Sequence, residues 1–226
     1  MKKILAVLFA CVISPAWGAM SLDKMIVYLK SVPNARDDIV VRNPDDAPLY
    51  LQTEIFRVEN PGAENQTLVP VTDPKDFKLL VSPSKAVIAP GEERRFRLMS
   101  IESNVDSEKV YRVTFRPVVG EIQTEATGLK LLVAFQAVVF VQPVNGQFDL
   151  ALSGSGSRRQ LKNTGNVNVE ISSAAYCSSP SQCENIGPLG RVYPGGEKTV
   201  ELPGERGHIE VRAFDGKEAR LITLPL

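Results

Sequence analysis

The sequence is poor in several residue types on which chemistry depends. Its 226 residues include one Trp, one His and three Cys. Lys and Arg together number 26, and so do Asp and Glu, so no basic excess favours nucleic acid as a partner. Trp17 is the single Trp, and the clustered aromatics expected of a carbohydrate-binding module are missing. We therefore expect a partner that is recognised by shape, hydrogen bonds or local charge.

Catalytic motifs are missing as well. Residues 154–157 are Gly-rich but lack the Lys and the following helix of a phosphate-binding loop. A nucleophile elbow would need a base, and His208 lies in an alternating, strand-like segment. The Asp pairs at 37–38 and 45–46 fall in predicted turns, where Asp accepts backbone hydrogen bonds. The sequence predicts a protein that is not an enzyme and has no cofactor, no metal and no small-molecule substrate.

The N-terminus is typical of a secretory signal peptide. Lys2 and Lys3 precede an apolar run at residues 4–13 that is too short to span a bilayer. Small residues at Ala16 and Gly18 then form a cleavage site. We expect residues 1–18 to be removed and the rest of the chain to be exported.

Cysteine usage agrees with export. Cys11 lies in the signal peptide, so Cys177 and Cys183 remain, an even number for an oxidising compartment. A disulfide between them would close a short loop. A zinc site would need more ligands than these two Cys and His208 provide.

The rest of the chain alternates in hydrophobicity as β-strands do. In the segment at residues 95–100, for example, Phe96 and Leu98 share one face while Arg95 and Arg97 share the other. Turn signals rich in Gly, Pro, Asn and Asp recur every 8–12 residues or so in the C-terminal part, which is typical of sandwiches and barrels. We predict an all-β fold with an N-terminal domain at residues 19–143 and a C-terminal domain at residues 147–226.

Residues 129–141 form the longest apolar segment of this part of the chain. Its length allows a helix, but it is dense in Val and Phe and has no clear helix cap, so we favour a long strand. A strand of about 13 residues far exceeds the usual five or six. Either it is a central strand of the first domain, or an exposed edge of it binds another chain by β-augmentation. One face carries the side chains of Leu129, Leu131, Val133 and Phe135.

The ordered set of these motifs resembles the periplasmic fimbrial chaperones of the chaperone–usher pathway, and most of all their alternate (class 5, colonization-factor-antigen-type) branch. The motifs that carry the likeness span the whole mature chain. They are residues 25–28 (MIVY), 80–83 (LVSP), 87–91 (VIAPG), 95–98 (RFRL), 110–115 (VYRVTF), the long strand ending at Pro143, 163–167 (NTGNV), Cys177 with Cys183, and Tyr193-Pro194.

The resemblance implies two immunoglobulin-like β-sandwich domains in a boomerang arrangement. It implies donor-strand complementation, in which Leu129, Leu131, Val133 and Phe135 of the long strand complete the fold of a fimbrial subunit. Such a chaperone prevents aggregation of the subunits in the periplasm and delivers them to an outer-membrane usher. The implied partners are the fimbrial major subunit, the tip adhesin and the usher, and self-association without a client is a further expectation.

The resemblance also exposes a departure from the family pattern. Better-known members bind the subunit's C-terminal carboxylate with an Arg on the first strand and a Lys on the last strand of domain one. Those positions are Met25 and Val138 here. Arg112, which alternates away from its apolar neighbours, is the main candidate for a replacement anchor, and Lys24 and Lys130 are the others.

A structural fimbrial subunit or adhesin with immunoglobulin-like domains is the alternative function. A subunit would lack its own last strand and would carry an N-terminal donor extension. Here the mature chain enters the strand at residues 25–29 almost at once, and its first domain contains its own long last strand. These features favour the chaperone.

Overall fold

The computed structural model describes residues 20–119 and 132–226, and these residues form two pairs of β-sheets. The strands of the first pair are β1 (Ser21–Leu22), β2 (Ile26–Lys30), β3 (Arg36–Arg42), β4 (Leu49–Glu59), β5 (Thr67–Pro70), β6 (Leu79–Ser82), β7 (Lys85–Ile88), β8 (Glu93–Ser100), β9 (Lys109–Val118) and β10 (Phe135–Gln142). A single 3-10 turn at Pro74–Asp76 is the only helical element in the described ranges.

The first sandwich packs a sheet of order β1-β3-β8-β6 against one of order β2-β10-β9-β4-β5, with β7 also pairing β4. Strand alternation explains its core, because successive side chains point to opposite faces. Phe96 and Leu98 of β8 are fully buried, whereas Arg95 and Arg97 face solvent, as predicted. Phe115 of β9 meets Phe96 edge to face, with ring centroids 5.3 Å apart.

The second sandwich is built from the remaining strands, all of which follow Gln142. They are β11 (Leu150–Ser153), β12 (Arg158–Asn163), β13 (Val169–Ser179), β14 (Gln182–Gly187), β15 (Gly190–Val192), β16 (Glu197–Glu201), β17 (His208–Phe214) and β18 (Ala219–Pro225). Its sheets have the orders β11-β12-β16 and β14-β13-β17-β18, with β15 pairing β13. The all-β class with two β-sandwiches is therefore confirmed.

Cys177 and Cys183 form a disulfide, as expected. The two residues stand opposite each other in the β13–β14 hairpin. Strand β14 itself was not predicted, because its residues are mostly exposed and show no apolar alternation. The hairpin pairing and the disulfide hold it at the edge of the sheet.

The long strand predicted at residues 129–141 is shorter in the structure. Strand β10 begins at Phe135, residues 132–134 lie outside any strand, and residues 129–131 lie outside the described ranges. Phe135 pairs with Phe115 of β9, and continuing that register would place Val133 opposite Pro117. Pro has no N–H to donate to a ladder, so this position cannot be fully paired. The prediction was wrong for residues 132–134.

No helix within residues 20–119 and 132–226 is long and apolar enough to cross a membrane.

Candidate functional site

Strand β10 buries one face in the first sandwich. Ala137, Val139 and Val141 have no measurable exposure there, and Phe135 is half-buried against the same core. Val133 has the same parity, since it precedes Phe135 by two residues, but 49% of it is exposed. The apolar stripe that fills this sandwich thus continues past the end of the ladder.

One backbone edge of β10 is only partly covered. Strand β2 runs parallel to β10 and pairs with it from Val138 onward, where the Val138 N–H donates to the Met25 carbonyl at 2.8 Å. Residues Phe135 to Ala137 pair with β9 on one side. On their other side the described part of the chain supplies no strand. Such an edge is a template for pairing with another chain.

The other face of β10 forms the floor of a cleft between the two sandwiches. Phe140 is buried with Val58 and Val110, and Tyr193 of the second sandwich packs on this row. The Tyr28 ring stacks on Phe140 with centroids 5.1 Å apart. Aromatic side chains therefore form much of the contact between the two halves.

Arg112 lies one step further along the same face. It stands between Val138 of β10 and Phe56 of β4, two residues after Val110. One guanidinium nitrogen donates to Gln136 Oε1 at 3.1 Å. Arg112 is half-buried, yet it forms no salt bridge within residues 20–119 and 132–226. Arg116, two residues beyond Thr114, is instead paired with Glu54 at 2.8 Å.

The other predicted anchor residues are not joined to Arg112 by any described contact. Lys24 Nζ donates to both carboxylate oxygens of Asp37, at 2.8 and 3.0 Å. Because its charge is already paired, Lys24 is the weaker candidate. Lys130, like the predicted donors Leu129 and Leu131, lies outside the described residues.

Sequence reasoning missed Arg191, which the fold brings into the same cleft. It lies 4.8 Å above the Phe140 ring and donates to the Tyr28 hydroxyl at 3.0 Å. It also donates to Asn168 Oδ1 and forms a salt bridge with Glu170. A cation–π contact with a ring so distant in the chain leaves no local signal in the sequence.

Glu108 is a second missed residue, and it is buried at the joint between the sandwiches. Its carboxylate accepts hydrogen bonds from Asn168 Nδ2, from the Asn168 backbone N–H and from Gln142 Nε2. Burial raises the pKa of the Glu108 carboxyl, and the hydrogen bonds from Asn168 and Gln142 oppose that rise. Gln142 also donates to the Asp215 carbonyl at 3.0 Å, so its amide ties both halves together.

One group of metal-ligand residue types lies close together in the second sandwich. Cys177, Cys183 and Glu210 bring one ligand-type atom each within 4.8 Å of one another. The two sulfurs are bonded to each other, however, so neither is a thiolate that could bind a metal.

Together the fold and the site define a class of protein. Two sandwiches enclose a cleft, and the last strand of the first sandwich extends an apolar stripe beyond its own ladder. A partly free edge of this kind is suited to binding an extended segment of another chain.

Comparison with known families and proteins agrees with this class. Residues 19–147 match the family described as pili and flagellar-assembly chaperone, PapD N-terminal domain. This match covers more than half of the chain, and the protein belongs to that family. It is a chaperone of pilus assembly.

Two relatives are similar over most of their length. A CS1 fimbrial subunit of Escherichia coli is 29% identical over 184 residues, which is 76% of this chain and 76% of that protein. Probable fimbrial chaperone EcpE of Escherichia coli O127:H6 is 24% identical over 193 residues, which is 80% of this chain and 77% of that protein.

Solved structures share the fold at low identity. The class 5 fimbriae chaperone CfaA superposes with a TM-score of 0.71 at 18% identity, covering 92% of this chain and 100% of that one. A chain of the Salmonella enterica SafA pilin–SafB chaperone complex superposes with a TM-score of 0.65 at 19% identity, covering 94% and 99% of the two chains.

Proposed function

We propose that this chaperone binds fimbrial subunits by donor-strand complementation with the segment that leads into β10. It thereby prevents their aggregation and delivers them to an outer-membrane usher in the periplasm. The clients are a major subunit and a tip adhesin, and no catalysis is involved. The observation that carries the proposal is the exposed Val133, which extends the buried stripe of β10 beyond its sandwich.

Parity supports the choice of donor side chains. Phe135, Ala137, Val139 and Val141 face the core of the first sandwich. An extended chain keeps this alternation, so Val133, Leu131 and Leu129 fall on the same face. They would fill an apolar groove of a subunit as their successors fill the chaperone's own core. Phe135 is half-buried at home and is shared between the two.

The partly free edge supports the same mode of binding. Backbone N–H and C=O groups of an added strand are satisfied by pairing along the edge, and the side chains enter pockets of the partner. The same edge would allow two client-free copies to pair, which keeps self-association as a prediction.

Arg112 is the proposed anchor for the client's C-terminal carboxylate. It has guanidinium donors left over after its bond to Gln136, and no acidic group of the described residues competes for its charge. An Arg suits this role because its planar fork binds a carboxylate with two parallel hydrogen bonds.

The alternative, a structural subunit or adhesin, predicts a first sandwich that lacks its last strand. Here β10 is present and pairs with both β2 and β9. We therefore retain the chaperone, with a signal peptide at residues 1–18 and domains at residues 19–143 and 147–226. The gap between β10 and β11 is consistent with that boundary.

A double variant tests donor-strand binding. Leu131→Glu with Val133→Glu places two charges where apolar side chains must be buried in the client. We expect a co-produced fimbrial subunit to be lost from the purified chaperone, while thermal unfolding of the chaperone is unchanged. Val144→Glu is the matched control, since Val144 is an equally exposed Val at 53% outside the donor segment. Undiminished subunit recovery with the double variant would refute the proposal.

A further inference from the structure

The proposed anchor at Arg112 is chemically incomplete. A carboxylate has two oxygens with about four acceptor sites, and one guanidinium fills at most half of them. The two sequence positions that would supply charge in better-known relatives are Met25 and Val138, which have no donors in their side chains. A second hydrogen-bond donor must come from elsewhere in the cleft.

Tyr193 is the cleft residue with a donor to spare. The hydroxyls of Tyr28, Tyr111 and Tyr176 each take part in a hydrogen bond, with Arg191, Glu102 and the Arg206 carbonyl respectively. Tyr193 is half-buried as well, but within residues 20–119 and 132–226 its hydroxyl makes no hydrogen bond. A buried phenol usually finds a partner, so an unused one in a cleft points to a ligand.

The position of Tyr193 brings that hydroxyl near Arg112. Its ring packs on the row formed by Val58, Val110 and Phe140. Arg112 and Val138 form the next row on the same face, one step of about 7 Å along the strands. Burial raises the pKa of the Tyr193 phenol, and the positive charges of Arg191 and Arg112 oppose that rise, which agrees with this closeness.

The Tyr193 ring is held from two sides. Its centroid lies 6.3 Å from that of Phe140. On the other side Gly62 approaches so closely that a Cβ there would lie 2.6 Å from Tyr193 Cδ2. Gly62 also has a φ of 78°, which glycine adopts without strain. Packing of this kind orients a side chain before its ligand arrives.

Arg191 does not meet the need itself. Its guanidinium is engaged by Glu170, Asn168 and the Tyr28 hydroxyl, and its side chain is only 15% exposed. The charge of Glu170 offsets that of Arg191, so the net attraction for an anion comes from Arg112.

We propose that the client's terminal carboxylate is bound by donors from both sandwiches, the Arg112 guanidinium and the Tyr193 hydroxyl. This inference rests on the proposed function and names the second half of its anchor. The apolar surroundings select the residue that bears the carboxylate. Tyr28, Phe140 and Val138 line the floor, and Ile26 and Phe214 are exposed nearby, so a C-terminal aromatic or large aliphatic residue fits best.

The probe for this site is the dipeptide acetyl-Leu-Phe with a free carboxylate, and its C-terminal amide is the matched ligand. Binding to the full chain is followed by the Arg112 Nε–Hε NMR signal, assigned with Arg112→Lys. We expect the acid to shift this signal saturably and the amide to bind at least tenfold more weakly. Tyr193→Phe, which keeps the ring, should weaken the acid about threefold to tenfold, the range for one neutral hydrogen bond, and leave the amide unchanged. Tyr50→Phe, at an exposed Tyr of β4, should change neither.

Two results would overturn the inference. Equal affinity of the wild type and Tyr193→Phe for the acid would remove Tyr193 from the anchor. Equal affinity of the wild type for acid and amide would remove the carboxylate site altogether. Neither result touches donor-strand binding, which the Leu131→Glu, Val133→Glu variant tests separately through recovery of a whole subunit.

Discussion

Asn168 donates from Nδ2 to both carboxylate oxygens of Glu108, at 2.8 and 2.7 Å, and so joins the second sandwich to the first. The two residues are 60 positions apart in the chain, and both are buried. Within the described ranges, every hydrogen bond that the Glu108 carboxylate accepts comes from a neutral donor. The joint between the domains therefore contains a carboxylate that is well satisfied by amide groups rather than by a bonded cation.

This carboxylate gives the joint a pH dependence. Because burial raises its pKa in the folded state above the ordinary 4.5, the folded state binds a proton more strongly than the unfolded state. The contribution of Glu108 to the free energy of unfolding is then greatest at low pH and falls as the pH rises from 4.5 through the raised folded pKa. A pKa difference of one between the two states corresponds to about 1.4 kcal/mol.

We predict that Glu108→Gln removes this dependence. The measurement is the free energy of unfolding by urea at several pH values between 4 and roughly 8, compared between wild type and variant. The difference between the two curves isolates Glu108 from other carboxyls such as Asp38 and Asp215, whose pKa values are lowered. Parallel curves would show that Glu108 titrates alike in both states.

Arg112→Ala should weaken subunit capture without unfolding the chaperone. Loss of a charged hydrogen bond costs about 1.5–3 kcal/mol, or roughly 10-fold to 150-fold in affinity. Arg116→Ala is the control on the same strand, since Arg116 is exposed and paired with Glu54. The measurement is the amount of fimbrial subunit that co-purifies from the periplasm. Equal recovery with both variants would remove Arg112 as the anchor.

Gly216 and Tyr28 should be energetically coupled across the joint. A Cβ at Gly216 would lie 2.5 Å from Tyr28 Cε1 and 2.7 Å from Cγ. We expect Gly216→Ala to destabilise the wild type by about 1–3 kcal/mol more than it destabilises Tyr28→Ala, because overpacking is relieved when the ring is gone. A double-mutant cycle from urea unfolding measures this coupling. The cost of the φ of 95° at position 216 is common to both backgrounds and cancels. Additive effects would contradict the close contact.

Removing the disulfide should lower stability and spare binding. Replacing Cys177 and Cys183 with Ala opens a loop whose ends are separated by 6 positions. Loop-closure entropy then predicts a loss of about 2 kcal/mol in the free energy of unfolding. Subunit recovery at a temperature where the variant is folded should match the wild type, since β13 and β14 belong to the second sandwich and do not pair with β10. A loss of recovery with intact folding would place the hairpin in the binding site.

Local alternation made much of the fold predictable. Phe96 and Leu98 against Arg95 and Arg97 were assigned to the correct faces of β8 because side chains in a strand alternate strictly. The start of β10 was not predictable in this way. The apolar pattern runs on through residues 129–134, and what ends the ladder is the partner strand, where continued pairing would meet Pro117.

The anchor shows the same division. Outward alternation singled out Arg112, but Lys24 and Arg116 have the same charge and the sequence does not rank them by their pairing. Only the fold reveals that Lys24 is bonded to Asp37 and Arg116 to Glu54, while Arg112 meets the neutral Gln136. Tyr193 and Glu108 were missed because their partners come from the other sandwich.

The sequence by itself determined the all-β class, the two-part organisation of the strands, the pair of cysteines and the apolar stripe that ends in Val133. These properties follow from neighbours along the chain, whose spacing dictates the faces of a strand. Tertiary structure decided where β10 begins, which cations are paired with carboxylates and what lines the cleft. Those outcomes depend on contacts such as Arg191 with Tyr28, which are 163 positions apart and meet only when the two sandwiches pack together.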